Sequence, residues 1–291
     1  MTKGQDKFIM FCKTYFKEIK AFDNMLESFN RFNKDNIGLY ISVPKSEINL
    51  YKKYQSKIIK VIDDESYAGA YFTSNKYWGL PEGYIDQEIC KLSFWETGKA
   101  ENYLCIDSDL YFIRSFYVKD FMFNETVPYS VLVMDKDLHT EHFYRDFGKW
   151  RMGLIKKIFD EVAYDDSRHR TCHGMQVLNS KVLEDFKTNF MMKKKYNYQD
   201  LIKISPYEFT WYNVWLQKSQ VIPVKAVEPF FKTFHTRIEY IFSRLKKIKE
   251  SDLAEQYVGI VLNSNWKKKL HQKYQNPGFI EKLFYKIVNL L

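Results

Sequence analysis

The sequence predicts an α/β fold with a central, mostly parallel sheet flanked by helices. In the first half, short apolar runs alternate with segments whose apolar residues recur every three or four positions. Parallel strands need a crossover connection, and helices between strands supply it. Hydrophobic residues make up 45% and charged residues 28% of the 291, a composition typical of folded proteins. No apolar run approaches the ~20 residues of a membrane span.

The first half shows this alternation most clearly. In the third segment with helical spacing, Ile85, Ile89 and Leu92 fall at i, i+4 and i+7, and Gly98 suits a helix end. Pro44 closes the second strand. The predicted order is strand 8–12, helix 19–32, strand 37–43, helix 46–54, strand 57–62, helix 84–97 and strand 103–106.

The second half is less regular but contains further candidates of both kinds. No internal repeat or low-complexity linker interrupts it. From about residue 243 the chain becomes lysine-rich and helical in pattern, like an appendage to the main body. The remaining predicted elements are strand 130–134, helix 150–162, strand 175–178, helix 180–190, helix 207–216, and strands at 221–224 and 230–235.

Net charge constrains the classes of binding partner, and the cysteines constrain the cellular compartment. The net charge is +9, with lysine clusters near residues 193–195, 246–249 and 267–269. Such clusters attract nucleic acid, anionic membrane surfaces or phosphorylated substrates, or form an ordinary solvated surface. Four scattered cysteines fit reduced, packed thiols rather than a disulfide framework or a zinc site. The start of the chain lacks the pattern of an export signal, and we expect a cytoplasmic protein.

Two carboxylates stand where the fourth strand ends, in ENYLCIDSDLYFIRSF (101–116). In an extended chain residues i and i+2 face one side, so Asp107 and Asp109 can converge while Ser108 faces away. Two converging carboxylates repel unless a cation lies between them, and oxygen ligands suit Mg²⁺ or Mn²⁺. The alternative is a strand-ending turn, where Asp and Ser are common. Ligands bind at the carboxyl ends of strands in such sheets, which favours the metal.

The layout resembles the GT-A glycosyltransferases, whose nucleotide-sugar domain ends a strand in an Asp-x-Asp motif. More narrowly, it is similar to a bacterial family of glycosyltransferase-like proteins found with polysaccharide-assembly genes. The likeness covers roughly residues 7–240 and is stronger in the first half. It is carried by FIMFCKTYFKEIKAFDNMLESFNRF (8–32), DQEICKL (86–92), YLCIDSDLYFI (103–113), HGMQVL (173–178) and PYEF (206–209).

This resemblance implies a GT-A-like, Rossmann-type domain over residues 1–242, followed by a basic helical extension over 243–291. Within the domain, residues 1–127 would bind the nucleotide sugar and residues 128–242 the acceptor. The reaction implied is hexosyl-type transfer to a surface glycan, namely lipopolysaccharide, O-antigen or capsule, or to a lipid-linked glycan. The donor diphosphate would sit on Mn²⁺ or Mg²⁺ held by Asp107 and Asp109, and the metal would act as a Lewis acid on the leaving group.

Further donor-site candidates follow from the same implied fold. Lys13, Thr14 and Tyr15 follow the first strand, where this fold holds the nucleoside, and Tyr15 could stack on the base. Gln87 and Lys91 share one helical face, and Lys91 could meet the donor phosphates. Their alternatives are an ordinary polar loop and a solvent-facing helix surface. Ser108 is also counted among the donor-binding residues.

Catalytic and acceptor-site candidates lie in the second half. Glu208 opens an aromatic helix and could be the base of an inverting transfer, or a first-turn Glu favoured by the helix dipole. Asp135 and Asp137, after the predicted fifth strand, are the second choice for the base. His173 and Trp211 are acceptor-site candidates. The resemblance also suggests a late histidine as third metal ligand, here His235, although a lone His is more often structural.

The segment GFIEKLFYKIVNLL (278–291) carries an apolar stripe at helical spacing beside basic neighbours. Such a helix can lie in a membrane interface. Two alternatives follow for residues 279–291. They contact the cytoplasmic face of the inner membrane peripherally, or they pack on protein, either the main domain or a second copy in a homodimer.

Two other classes of function compete with glycosyl transfer. The basic charge and abundant aromatics would fit a nucleic-acid-binding protein, but no recognised nucleic-acid motif is found and we expect no such partner. A metal-dependent phosphohydrolase could use the same aspartates, yet it needs more clustered ligands than the sequence offers.

Overall fold

The computed structural model describes residues 5–75, 77–80, 82–134, 145–166, 168, 170, 174–235 and 237–262. Within these ranges the chain forms one five-stranded sheet, a three-stranded sheet and a two-stranded pair. The strands are β1 Asp6–Lys13, β2 Gly38–Val43, β3 Ile59–Asp63, β4 Ala100–Ile106, β5 Leu110–Phe112, β6 Ser130–Val131, β7 Val177–Asn179, β8 Ala226–Val227, β9 Phe231–Phe234 and β10 Gly259–Leu262.

The large sheet has the order β3-β2-β1-β4-β7. The first four strands are parallel, and β7 pairs antiparallel with β4. The order 3-2-1-4 is that of a Rossmann-type nucleotide-binding half, in which ligands meet the carboxyl ends of the strands. The predicted fold class, a mixed and mostly parallel sheet flanked by helices, is confirmed.

Helices cover the sheet because their apolar faces match it. α1 buries Phe22, Met25, Leu26 and Phe29, which recur at three- and four-residue spacing. The α-helices are α1 Ile19–Phe32, α2 Ile48–Tyr51, α3 Glu65–Ala68, α4 Glu82–Ser93, α5 Arg145–Val162, α6 Ser180–Phe186, α7 Met192–Lys194, α8 Tyr198–Ile204, α9 Glu208–Ser219, α10 Arg237–Leu245 and α11 Glu250–Ala254. A π-helical segment, Lys187–Met191, joins α6 to α7.

The predicted elements of the first half are found with small shifts at their ends. Helix 19–32 has the predicted bounds, and Gly98 ends the turn after α4 in the left-handed region at φ 64°. The second half departs further. Predicted strand 130–134 is a strand only over Ser130–Val131, and the strand expected at 221–224 forms instead at Ala226–Val227. Both are two-residue strands paired only with each other, too short for sequence periodicity to locate.

The predicted C-terminal extension contributes to the second sheet. β10 pairs antiparallel with β5 and parallel with β9, and the Leu262 N–H donates to the Asp109 carbonyl at 3.1 Å. Residues 259–262 therefore pack against the strand that follows the Asp pair. The boundary at residue 242 stays a prediction, and the segment 279–291 lies outside the described residues.

Gly259→Ala is expected to destabilise the protein by about 1–3 kcal/mol, the usual cost of overpacking. A Cβ at Gly259 would lie 2.5 Å from the Tyr111 carbonyl oxygen and 2.9 Å from the Phe231 ring, and the paired backbone of β5 cannot withdraw. Denaturant unfolding measures the change. Gly153→Ala, in α5 with nothing within 4 Å of the added atom, is the control and should be neutral or stabilising. Equal stability of Gly259→Ala and the parent would contradict this packing.

Two further findings concern membrane-spanning helices and the cysteines. Among the described residues, no helix is both long and apolar enough to cross a membrane. Cys12, Cys90 and Cys105 are buried free thiols, as predicted, whereas Cys172 lies outside the described residues.

Candidate functional site

A cavity of about 640 Å³ opens at the carboxyl edge of the large sheet. Its walls come from the ends of three strands: Lys13 ends β1, Asp64 follows β3 and Asp107 follows β4. α4 and the start of α9 supply Lys91 and Glu208. The ends of parallel strands meet at one edge, so residues distant in sequence converge where the topology predicts a ligand.

The cavity is acidic although the chain carries a net charge of +9. Among the described residues, nine acidic side chains and three lysines line it. An excess of carboxylates favours ligands that bring positive charge, such as a divalent cation. The acidic residues are Glu18, Glu47, Asp64, Glu65, Asp86, Glu88, Asp107, Asp109 and Glu208, and the lysines are Lys13, Lys17 and Lys91.

Two donors from α4 hold the Asp107 carboxylate. Gln87 Nε2 donates to Asp107 Oδ1 at 3.0 Å, and Lys91 Nζ lies 3.3 Å from the same oxygen. The Asp107 side chain is 33% exposed, so it reaches the cavity while its orientation is fixed. Gln87 and Lys91 are four residues apart and so share a helix face, as the sequence predicts.

Asp109 and Ser108 complete the turn after β4. Asp107, Ser108 and Asp109 all line the cavity, because these residues form a turn rather than the extended segment in which Ser108 would face away. Ser108 is buried, and its Oγ donates to Glu18 Oε2 at 2.5 Å. This hydrogen bond ties the turn to the segment that leads into α1. The turn is therefore anchored from two sides, by Gln87 and Lys91 on one and by Glu18 on the other.

Lys91 is buried among three carboxylates. Its Nζ lies 3.0 Å from Glu208 Oε1 and 3.9 Å from Glu88 Oε2, in addition to its contact with Asp107. Burial alone would lower the pKa of Lys91, but the three carboxylates raise it well above its usual value. Burial would likewise raise the pKa of Glu208, yet Lys91 and a hydrogen bond with Glu88 hold it below its usual value. Glu208 is thus an ionised partner of Lys91.

Glu88 belongs to the same cluster, but its pKa is shifted in the opposite direction to that of Glu208. Burial, the charge of Glu208 and their hydrogen bond raise the pKa of the Glu88 carboxyl well above its usual value, although Lys91 opposes the shift. A single ammonium cannot compensate several buried carboxylates, so Glu88 holds a proton more strongly than Glu208 does. In its protonated form Glu88 donates to Glu208.

Glu88→Gln is expected to flatten the pH dependence of stability above the usual pKa of a glutamate carboxyl, where the raised pKa of Glu88 makes the parent lose stability as pH rises. A carboxyl whose pKa is raised by folding binds more protons in the native state, so its contribution to stability is lost as pH rises. Glutamine keeps an N–H donor for Glu208 without titrating. Denaturant unfolding at several pH values tests this, with Glu101→Gln at a partly exposed pair as control. If the parent and Glu88→Gln lose stability in parallel as pH rises, Glu88 is not the titrating group.

The loop after β1 supplies the other predicted donor residues. Lys13 Nζ lies 2.6 Å from Asp64 Oδ2, and the two side chains are 9% and 3% exposed. Lys13 and Tyr15 line the cavity; Thr14 is buried, with its N–H donating to the Ser42 carbonyl, and is not part of the wall. Burial raises the pKa of the Tyr15 hydroxyl, which stays neutral.

The predicted residues of the second half are more dispersed. Glu208 lines the cavity, but Trp211 is fully buried, with its indole N–H donating to the Ser205 carbonyl at 3.0 Å. Trp211 is therefore a core residue and not a cavity wall. His235 directly follows β9 and is not in the cavity lining, although Thr233 is, and its role as a metal ligand stays a prediction. Asp135, Asp137 and His173 lie outside the described residues.

Several cavity residues escaped the sequence analysis, among them Glu18, Asp64 and Glu88. Asp64 had a usable signal, because it follows a parallel strand and must lie at the same sheet edge as Asp107. Glu88 is three residues before Lys91 on α4, which places both on one face. Nothing local marks Glu18, whose contact with Ser108 spans 90 residues.

The side chains present suit a divalent cation. Asp107 and Asp109 offer carboxylate oxygens in one acidic cavity, the ligands that Mg²⁺ and Mn²⁺ prefer. Among the described residues, the one group of three His, Cys, Asp or Glu side chains with ligand atoms within 4.8 Å of one another is Asp63, Asp64 and Glu65. Asp64 in that group is already paired with Lys13. The Asp pair after β4 is therefore the better candidate, with further ligands to come from the substrate.

Comparison with known families places the chain by sequence. Residues 9–156, just over half of the chain, match a family described as "Family of unknown function (DUF6492)". The chain belongs to this family. The matched range contains most of β1, all of β2 to β4, α4 and the Asp pair. No curated protein matches the sequence.

Solved structures show more distant similarity. Mouse xyloside xylosyltransferase 1 in its apo form has 12% identity and a TM-score of 0.49, over 89% of this chain and 98% of that one. The apo structure of the bifunctional glycosyltransferase WbbM has 10% identity and a TM-score of 0.49, over 98% of this chain. This chain spans about half, 52%, of the WbbM chain.

Proposed function

We propose that this protein is a glycosyltransferase that uses a nucleotide-sugar donor together with Mn²⁺ or Mg²⁺. One observation carries the proposal: Asp107 and Asp109, at the carboxyl end of a central parallel strand, share an acidic cavity with the end of β1. In a Rossmann-type half with strand order 3-2-1-4, that edge is where nucleotides bind. The resemblance of the YLCIDSDLYFI strand to the Asp-x-Asp strand of GT-A enzymes supports the same conclusion.

In this proposal the chain's own residues position the donor. Asp107 and Asp109 would hold the cation, which when bound supplies Lewis-acid stabilisation to the departing diphosphate. Gln87 and Lys91 fix the Asp107 carboxylate through their contacts with Oδ1. Tyr15 offers a ring beside the cavity for the nucleoside, with its hydroxyl neutral.

Glu208 fits a positioning role better than that of a general base. A base works best when its pKa lies near the working pH, and Lys91 holds the pKa of Glu208 below its usual value. Its carboxylate is also engaged by Lys91 at 3.0 Å. We therefore propose that Glu208 fixes Lys91, and that the base of an inverting reaction is Asp135 or that a retaining reaction needs none.

The acceptor in this proposal is a surface glycan, namely lipopolysaccharide, O-antigen or capsule, or its lipid-linked precursor. The resemblance to proteins of bacterial polysaccharide assembly supports this class. A lipid-linked acceptor would fit peripheral contact of residues 279–291 with the cytoplasmic face of the inner membrane. Flotation of the full chain with anionic liposomes, compared with a chain ending at Asn276, tests that contact; equal flotation of both would exclude it.

A thermal-shift screen tests the proposed activity class. Nucleotide sugars are tested with Mn²⁺, with Mg²⁺ and with EDTA, since a ligand that binds only the folded state raises the melting temperature. We expect at least one nucleotide sugar to stabilise the protein, and only with a divalent cation. Stabilisation that does not need a cation would contradict the metal, and release of free phosphate without any acceptor would favour a phosphohydrolase.

A further inference from the structure

Lys91 places a positive charge beside the predicted metal ligand. Its Nζ lies 3.3 Å from Asp107 Oδ1 and 3.0 Å from Glu208 Oε1, and its side chain is only 4% exposed. Among the described residues, it is the one cation that contacts Asp107. The neutral amide of Gln87 binds the same oxygen at 3.0 Å. The Asp107 carboxylate is thus oriented by two groups, of which one also neutralises it.

This arrangement opposes the binding of a second cation. A divalent ion bound to Asp107 lies about 2 Å from a carboxylate oxygen, and so within roughly 6 Å of the Lys91 ammonium. A charge of +1 and a charge of +2 at that separation repel each other. Even at the dielectric constant of bulk water, this repulsion weakens metal binding about tenfold, and a less polar site increases the effect.

A bound nucleoside diphosphate would offset the repulsion between the Lys91 ammonium and the metal. Its negative charges attract both the metal and the ammonium, and the flexible four-carbon stem of lysine lets the ammonium turn from Asp107 toward a phosphate. Glu208, 3.0 Å away, keeps one contact with Lys91 in either position. Lys91 can therefore release its contact with Asp107 and retain its contact with Glu208.

We propose that Lys91 is an internal counter-cation of the metal site, which keeps divalent-metal binding weak in the protein alone and permits tight binding with a nucleoside diphosphate. This inference rests on the proposed function. It assigns Lys91 a positioning role with a consequence for binding order: metal and donor enter together, because either one alone meets an unfavourable charge. Free metal in the cell would then not occupy the site unproductively.

Mn²⁺ titration of the full chain, followed by the electron paramagnetic resonance signal of free Mn²⁺, tests the inference. In the parent protein, UDP or GDP is expected to tighten Mn²⁺ binding by about tenfold or more. In Lys91→Met, Mn²⁺ alone is expected to bind about tenfold more tightly than in the parent, so the nucleotide adds less. Lys91→Arg keeps the charge and should keep the weak binding of the parent.

Two further variants distinguish the effect of the Lys91 charge from the orientation of Asp107 and from misfolding. Gln87→Leu removes the neutral donor from the same oxygen, and is expected to weaken Mn²⁺ binding rather than tighten it. If Lys91→Met fails to fold, the double variant Lys91→Met/Glu208→Gln removes the buried charge left behind and carries the same expectation. If Lys91→Met, or the double variant in its place, binds Mn²⁺ no more tightly than the parent, the inference alone is overturned. A parent protein that binds no Mn²⁺ even with UDP or GDP would overturn the proposed function as well.

Discussion

Asp107→Asn and Asp109→Asn are each expected to lower sugar transfer at least about 10³-fold, with the fold intact. Each substitution keeps the shape of the side chain but removes the negative charge that the cation requires. A loss of this size corresponds to about 4 kcal/mol of transition-state stabilisation, within the range of a lost metal contribution. The measurement is transfer from the nucleotide sugar that the thermal-shift screen identifies, with circular dichroism and melting temperature to monitor folding.

Asp63→Asn is the matched control for these two variants. Asp63 is also an aspartate at the carboxyl end of a parallel strand, β3, but it does not line the cavity. We expect its activity to stay within about threefold of the parent, because it touches neither donor nor metal in the proposed mechanism. Transfer by both Asp107→Asn and Asp109→Asn at a level close to that of Asp63→Asn would reject the assignment of the metal to this turn.

Lys13→Met is expected to lower the free energy of unfolding by about 3–5 kcal/mol, the cost of leaving one member of a buried ion pair without its partner. Lys13 Nζ and Asp64 Oδ2 are 2.6 Å apart, and both side chains are less than one-tenth exposed. Burial already raises the pKa of Asp64 against the opposing effect of Lys13, so removing the ammonium leaves the carboxylate poorly compensated. Urea unfolding at neutral pH measures the loss.

The same strand provides the control. Lys7 pairs with Glu101 at 2.8 Å, but the two side chains are 50% and 25% exposed. Exposed pairs contribute little, so Lys7→Met should cost less than about 1 kcal/mol. The double variant Lys13→Met/Asp64→Leu removes both charges and should recover much of the loss. Equal unfolding midpoints for Lys13→Met and Lys7→Met would show that the buried pair does not stabilise the fold.

The parts of the fold that follow from periodicity were predictable. The spacing of Phe22, Met25 and Phe29 defines α1, and the alternation of strands with helices leads to the parallel sheet. That sheet in turn places the end of β4 at the ligand edge, so Asp107 and Asp109 could be assigned to a site before any contact was known.

Contacts between distant segments were not predictable in the same way. Lys91 meets Glu208 across 117 residues, and no local pattern shows that Glu88 joins them with a raised pKa. Trp211 was expected near an acceptor, but an aromatic helix looks the same in sequence whether it lines a cavity or fills the core. β10 pairs with β5, which is distant in sequence, and hydrophobic periodicity does not predict which distant strands pair.

The most direct test of the metal assignment is anomalous diffraction at the manganese edge from crystals grown with Mn²⁺ and a nucleoside diphosphate. We predict one strong peak about 2.1 Å from carboxylate oxygens of Asp107 and Asp109, with diphosphate oxygens completing the coordination. A peak at the Asp63, Asp64 and Glu65 group, or nucleotide bound at this edge with no manganese at the Asp pair, would contradict the account.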